Sequence, residues 1–117
     1  MSYVDGYLLA VPKAKVEEYK KLAHLGCEVW MDHGALGYVE CLADDVPYGE
    51  LTSFPRAVQA TEDETVVFAW VFFESREARD AINKKVMDDP RMKFDSENAP
   101  FDMKRMIFGG FVPFVER

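Results

Sequence analysis

The segment ETVVFAWVFFE, residues 64–74, constrains this chain more than any other. It is rich in β-branched and aromatic residues, which favours a strand. Strand side chains alternate between two faces. One set here is Val67, Ala69, Val71 and Phe73, and the other is Val66, Phe68, Trp70 and Phe72. Neither set is polar. A sheet built around such a strand needs covering on both sides, because each large side chain left in water costs on the order of 1.5–3 kcal/mol.

The other elements supply one cover. Residues 3–12 (YVDGYLLAVP) read as a first strand closed by Pro12. From Lys13 to about His33, the residues Val16, Tyr19, Ala23, Gly26, Cys27 and Trp30 recur at helical spacing, and Gly34 supplies the stop. Residues 35–43 (ALGYVECLA) read as a second strand. Residues 46–60, with Pro47, Gly49, Ser53 and Pro55, form a loop long enough to cover or build something. After the third strand, Ser75 offers a helix N-cap, and Ala78, Ala81, Ile82 and Val86 form an apolar stripe. Residues 104–115 (KRMIFGGFVPFV) read as the last strand, with Gly109 and Gly110 marking a bulge or a close backbone approach.

The order β-α-β-β-α-β predicts an α+β, ferredoxin-like fold over residues 1–117 as a single domain: a four-stranded antiparallel sheet with both helices on one face. Helices pack closely on small residues. On that rule the helix side receives Val4, Gly6, Leu8 and Ala10 from strand one, and Gly37, Val39, Cys41 and Ala43 from strand two. Cys41 is then a small core residue. The opposite face carries Tyr3, Asp5, Tyr7 and Leu9, then Leu36, Tyr38, Glu40 and Leu42, with Phe68, Trp70 and Phe72 between them. The economical cover for that face is the same face of a second copy, a two-fold homodimer.

Charge and composition narrow the function. The 21 acids outnumber the 14 bases, for a net charge of -7, and no basic run appears. Nucleic acid and anionic membrane surfaces are therefore poor partners. No apolar run approaches the roughly 20 residues of a membrane span, and a cytoplasmic protein with Cys27 and Cys41 reduced is expected. No P-loop, dinucleotide fingerprint or full metal-ligand set is present, so no cofactor is expected.

The expected ligand-binding residues are Tyr3, Asp5, Tyr7, Tyr38, Glu40, Phe68, Trp70 and Arg105. They would enclose a small, partly apolar or aromatic molecule between the two sheets. A carboxylate on an aromatic face needs a cation or donors, or it is forced to become neutral. Arg105 is the expected partner of Asp5 and Glu40, with Asp102, Lys104 and Arg56 nearby. The alternative reading of the same residues is a buried ion pair that fixes strand register or dimer geometry in a solid core. His24, Cys27 and Glu28 share one helical face at metal-ligand spacing, without a second cluster to complete a site. His33 either satisfies the end of the first helix or reaches the rim of the sheet. No residue is assigned a catalytic role.

The segments YVDGYLLAVP, GALGYVECLADDVPYG, DETVVFAW, SREARDAINKKVMDDPRM and PFDMKRMIFGGF resemble, in this order, the YbaA-like family of small bacterial proteins, a domain of unknown function. The resemblance implies a ferredoxin-like subunit of the dimeric α/β-barrel superfamily and no established reaction. That superfamily includes cofactor-free monooxygenases, small isomerases, haem-handling enzymes and ligand-binding regulators. It leaves open a ligand-binding dimer, a cofactor-free enzyme of monooxygenase or isomerase type, and a non-catalytic dimer.

Overall fold

A computed structural model describes residues 2–93 and 95–117. Strand β1 (Tyr3–Pro12) leads through a short turn, Lys13–Lys15, into helix α1 (Val16–Asp32). Strand β2 (Gly37–Leu42), a four-residue helix α2 (Phe54–Ala57) and strand β3 (Glu64–Phe73) follow. Helix α3 (Arg76–Asp88) and strand β4 (Ile107–Phe111) complete the order. The sheet runs β2-β3-β1-β4, antiparallel throughout, with the ferredoxin-like plan expected of β-α-β-β-α-β.

Local signals explain the boundaries. Gly34, at φ +111, takes the left-handed conformation that ends α1. Ser75 accepts a hydrogen bond from the Ala78 amide at 3.0 Å and opens α3. Strand β4 is shorter than predicted. Asp102 caps the turn Met103–Arg105 ahead of it, and Pro113 beyond it has no amide hydrogen to lend a ladder.

The register fixes which residues share a face, because directly opposed residues point the same way. Tyr3 lies opposite Phe73, Asp5 opposite Val71, Tyr7 opposite Ala69 and Leu9 opposite Val67. On the other side of β3, Tyr38 lies opposite Val71 and Glu40 opposite Ala69. All of these face α1 and α3. Buried Tyr3, Val71 and Phe73 pack there with Val29, Trp30, Ile82 and Val86 of the helices. Leu9, Val11 and Val67 pack with Tyr19 of α1.

For β3 this is the predicted division. For β1 and β2 it is the reverse of the expectation, and Tyr3, Asp5, Tyr7, Tyr38 and Glu40 move to the helix side. The rule that helices take the small residues fails because the carboxylates find donors on the helices, Arg79 and Asn83 for Asp5 and Tyr19 for Glu40. The small residues serve the open face instead. The ring of Phe111 covers Gly6 and Gly109, standing 3.8 and 3.7 Å from where their Cβ atoms would be. Cys41, expected in the core, is exposed on the open side opposite Phe68.

The long loop does cover something. Val58, just after α2, is 1% exposed and packs with Leu8, Ala10 and Val66 on the open face. Beyond that end, Val39, Phe68, Ile107 and Phe111 of the same face stand in the open. Among the described residues, no helix is long and apolar enough to cross a membrane.

Candidate functional site

Two carboxylates, Asp5 and Glu40, point from the sheet toward the helices and are satisfied in different ways. Asp5 is 4% exposed. The Arg79 Nε donates to its two oxygens at 3.0 and 3.1 Å, and Nη2 lies 2.9 Å from Oδ1. Asn83, one turn along α3, donates to Oδ2 at 3.1 Å and accepts from the Trp30 indole at 3.0 Å. The guanidinium of Arg79 lies over the Tyr3 ring, 5.0 Å from its centroid. Desolvation pulls the Arg79 guanidinium down, but its hydrogen bonds to Asp80 and Asp5 outweigh that pull and hold it protonated. This network pairs the buried carboxylate with a guanidinium and an amide.

Gly110 belongs to the same network, and here a close approach explains the glycine. A Cβ at Gly110 would stand 2.2 Å from the Tyr3 hydroxyl and 2.3 Å from Arg79 Nη2. Of the two expectations for this glycine pair, a bulge or a close approach, the second holds at Gly110, where side chains rather than backbone come close.

Glu40 has no cation within ion-pair distance among the described residues; its partners are phenols. The Tyr19 hydroxyl of α1 donates to Oε1, and the Tyr38 hydroxyl donates to Oε2 at 2.5 Å. Burial, followed by the charge of Glu40 and these hydrogen bonds, pushes both phenols well above the usual tyrosine range. They stay protonated and keep donating. Tyr7 stands across Ala69 from Glu40 and is pushed up to about 12, first by burial and then by the charge of Asp5. Gly26 of α1 makes room for the arrangement, since a Cβ there would lie 2.8 Å from the Tyr38 hydroxyl.

Beside this carboxylate, α1 and the outer strand β2 part to leave a cavity of about 320 Å³. That lies at the small end of ligand-sized sites, roughly 300–1,000 Å³. Val11, Val16, Ala23, Leu42 and Val67 give it apolar walls, Tyr19, Tyr38 and Glu40 give it a polar floor, and Lys20, His24 and Cys27 stand along α1. Lys20 and His24 are exposed at the rim, and Lys20 is turned to Glu17 at 3.1 Å.

The expected site therefore divides. Tyr38 and Glu40 line the cavity, while Tyr3, Asp5 and Tyr7 lie further along the same face toward β4. Phe68 and Trp70 lie on the open face, with ring centroids 5.2 Å apart. Arg105 reaches neither carboxylate. It grips Glu64 with both Nη atoms, at 2.8 and 2.6 Å, and also donates to Asp102 at 2.9 Å. Glu64 opens β3 opposite Pro12 at one end of the sheet, nearer to Arg105 than Asp5 toward the other end of β1 or Glu40 within β2.

Of the residues that hold the carboxylates, Tyr38 was expected at the site, whereas Tyr19, Arg79 and Asn83 were legible only as donors set among helix positions facing the sheet. His24 and Cys27 border the cavity, whereas Glu28 is exposed and lies 3.8 Å from Arg91. Among the described residues, no group of three His, Cys, Asp or Glu side chains converges to hold a metal. His33 lies 2.8 Å from Asp89, and its amide donates to the Val29 carbonyl at the end of α1.

With this geometry in place, the known relatives are informative. Residues 2–103 match the family described as "Protein of unknown function (DUF1428)". The chain is 49% identical over 116 residues to the uncharacterized protein YbaA of Escherichia coli K12, covering 99% of each chain. The same figures hold for YbaA of Shigella flexneri. Among solved structures, it is similar to a dimeric ferredoxin-like protein from an uncultured marine organism. That alignment has a TM-score of 0.56 at 8% identity and covers 100% of both chains, which bears on the fold alone.

Proposed function

The chain belongs to the DUF1428 family of unknown function, and from that premise we propose that it works as a homodimer, paired through the open face, whose protomers each bind a small, partly apolar or aromatic molecule beside Glu40. The observation that carries the ligand half is the Glu40 carboxylate itself. It borders an apolar cavity with only phenols for partners, and a carboxylate there is costly unless something further compensates it. Binding within each protomer replaces the expected binding between sheets, because the polar residues suited to hold a ligand face the helices. The interface between sheets then reads as solid packing, a view supported by the Phe111 ring over Gly6 and Gly109.

The dimer half rests on the open face. The protomer is a slab of 38 × 36 × 20 Å. Four strands about 4.8 Å apart and roughly eight residues long present a face of about 20 by 27 Å before side-chain relief. That is the order of the ~800 Å² per partner that a stable interface buries. The solved ferredoxin-like neighbour is itself described as dimeric. One domain over residues 1–117 and a cytoplasmic home complete the reading, the latter supported by Cys27 and Cys41 both being free.

A thermal-shift panel of small aromatic and apolar molecules, run on the wild type and on Ala23→Leu, tests the ligand half. Ala23 lines the cavity, so the larger side chain fills it. At least one compound should stabilise the wild type in a concentration-dependent way, by about 2.7 kcal/mol at a hundredfold excess over Kd, and should lose its effect on Ala23→Leu. A panel without a hit, or hits that act equally on the filled variant, would overturn the reading.

A further inference from the structure

The hydrogen-bond inventory at Glu40 narrows the ligand further than its shape does. A phenol has one proton to give. Tyr19 and Tyr38 each give theirs to Glu40, and both phenols are held in the protonated, donating state by burial. What the floor of the cavity has left to offer is lone pairs: those remaining on the carboxylate and those on the two phenol oxygens. An incoming molecule finds acceptors there and no free donor.

The electrostatics agree. Glu40 is a carboxylate without a cation within ion-pair distance among the described residues, in a setting where opposite charge is attracted more strongly than in water. The rings of Tyr19 and Tyr38 also line the cavity, and aromatic faces attract ammonium groups. Lys20 stands at the rim, but its ammonium is directed to Glu17 and is half exposed to water, which screens it. An anion on the same floor would meet a carboxylate at close range, while of the other donors in the lining Lys20 and His24 are exposed at the rim and the Cys27 thiol is a weak donor. Arg105, the clamp that would suit an anionic group, is committed to Glu64 and Asp102.

We infer that the ligand of the Glu40 cavity is a cation, a small primary or secondary amine whose ammonium donates to Glu40 and whose apolar or aromatic body lies against Val11, Val16 and Val67. This inference rests on the cavity being a ligand site, as proposed above, and adds its chemical class.

Three probes of nearly equal shape separate the two claims: 2-phenylethylamine, 2-phenylethanol and 3-phenylpropanoate. Titration calorimetry on the full chain, with backbone-amide NMR shifts locating each probe, should show the amine binding at least about tenfold more tightly than the alcohol or the carboxylate, the effect of one charge-assisted hydrogen bond. Glu40→Gln should remove that preference by weakening the amine far more than 2-phenylethanol. Should Glu40→Gln fail to fold, the ranking of the three probes on the wild type still decides. If the alcohol or the carboxylate binds at Tyr38 as tightly as the amine, the class is wrong and the cavity remains a ligand site. If the amine fails to bind at millimolar concentration, the class is likewise wrong, and the broader panel on wild type and Ala23→Leu decides whether the cavity reading falls with it.

Discussion

On its helix side the sheet holds Asp5, buried, and Glu40, half-buried, among tyrosines. On its other side it presents Leu8, Phe68, Trp70 and Phe111, with Glu64 at the rim as its one charged strand residue. Both sides are largely apolar, yet only one carries carboxylates in mid-strand. The difference teaches where charge settles in a layered protein. A carboxylate goes where the chain itself supplies donors, and here those are Arg79, Asn83 and Tyr19 on the helices. The face whose one strand charge is paired at the rim is the one fitted to a partner that brings more apolar surface. Within the helix side the same contrast recurs on a smaller scale, with Asp5 neutralised by a guanidinium and Glu40 held by phenols beside a cavity.

The strongest way to break the contrast is to strand Asp5. Arg79→Met keeps much of the side-chain volume but leaves a buried carboxylate with only Asn83, and should cost about 3–5 kcal/mol in urea unfolding. A loss under about 1 kcal/mol would mean that the pair is worth no more than a surface ion pair. Gly110→Ala sharpens the comparison, because its Cβ intrudes on Tyr3 and Arg79 from the adjacent strand. The expected loss is about 1–3 kcal/mol, whereas Gly109→Ala, whose Cβ meets only Phe111 at 3.7 Å, should cost less.

The smallest effect belongs to the rim. Hydrogen bonds from Arg105 hold the Glu64 carboxyl at about 2, below its ordinary 4.5. A carboxyl depressed in the folded state stabilises the protein above its unfolded value and loses that contribution as it becomes protonated. Stability from this pair is therefore full above pH 4.5 and fades as the pH falls from 4.5 toward 2. Arg105→Met should flatten the acid limb of stability in that window and change little at pH 7 beyond a constant offset. An unchanged acid limb would mean that Glu64 is not held by Arg105.

Periodicity made the elements legible: the doubly apolar run of β3, the stripe of α1 and the Ser75 cap of α3 each carry a local signal. The face of a strand carries no such signal. Alternation sorts β1 into two sets but does not say which set meets the helices, and ranking the sets by side-chain size pointed the wrong way. The information lay elsewhere in the chain. Arg79 and Asn83 stand four residues apart on α3, so they share a face, and Tyr19 stands in the buried stripe of α1. Donors on sheet-facing helix positions call for acceptors on the sheet, and only the set with Asp5 and Glu40 supplies carboxylates. The cavity beside Glu40 was out of reach, since it depends on how far α1 stands from β2. Gly26, in mid-helix, was the single residue hinting at a close approach there.

The central claim is that the uncharged face is covered by a second copy. Sedimentation equilibrium at micromolar concentration tests it directly, on the wild type and on Phe68→Glu, which sets a charge in the exposed middle of that face. The wild type should sediment at twice its 13.4 kDa chain mass, and Phe68→Glu should weaken the pairing at least about 100-fold and shift it toward the single-chain mass. A wild type that stays a well-behaved 13.4 kDa particle would contradict the account.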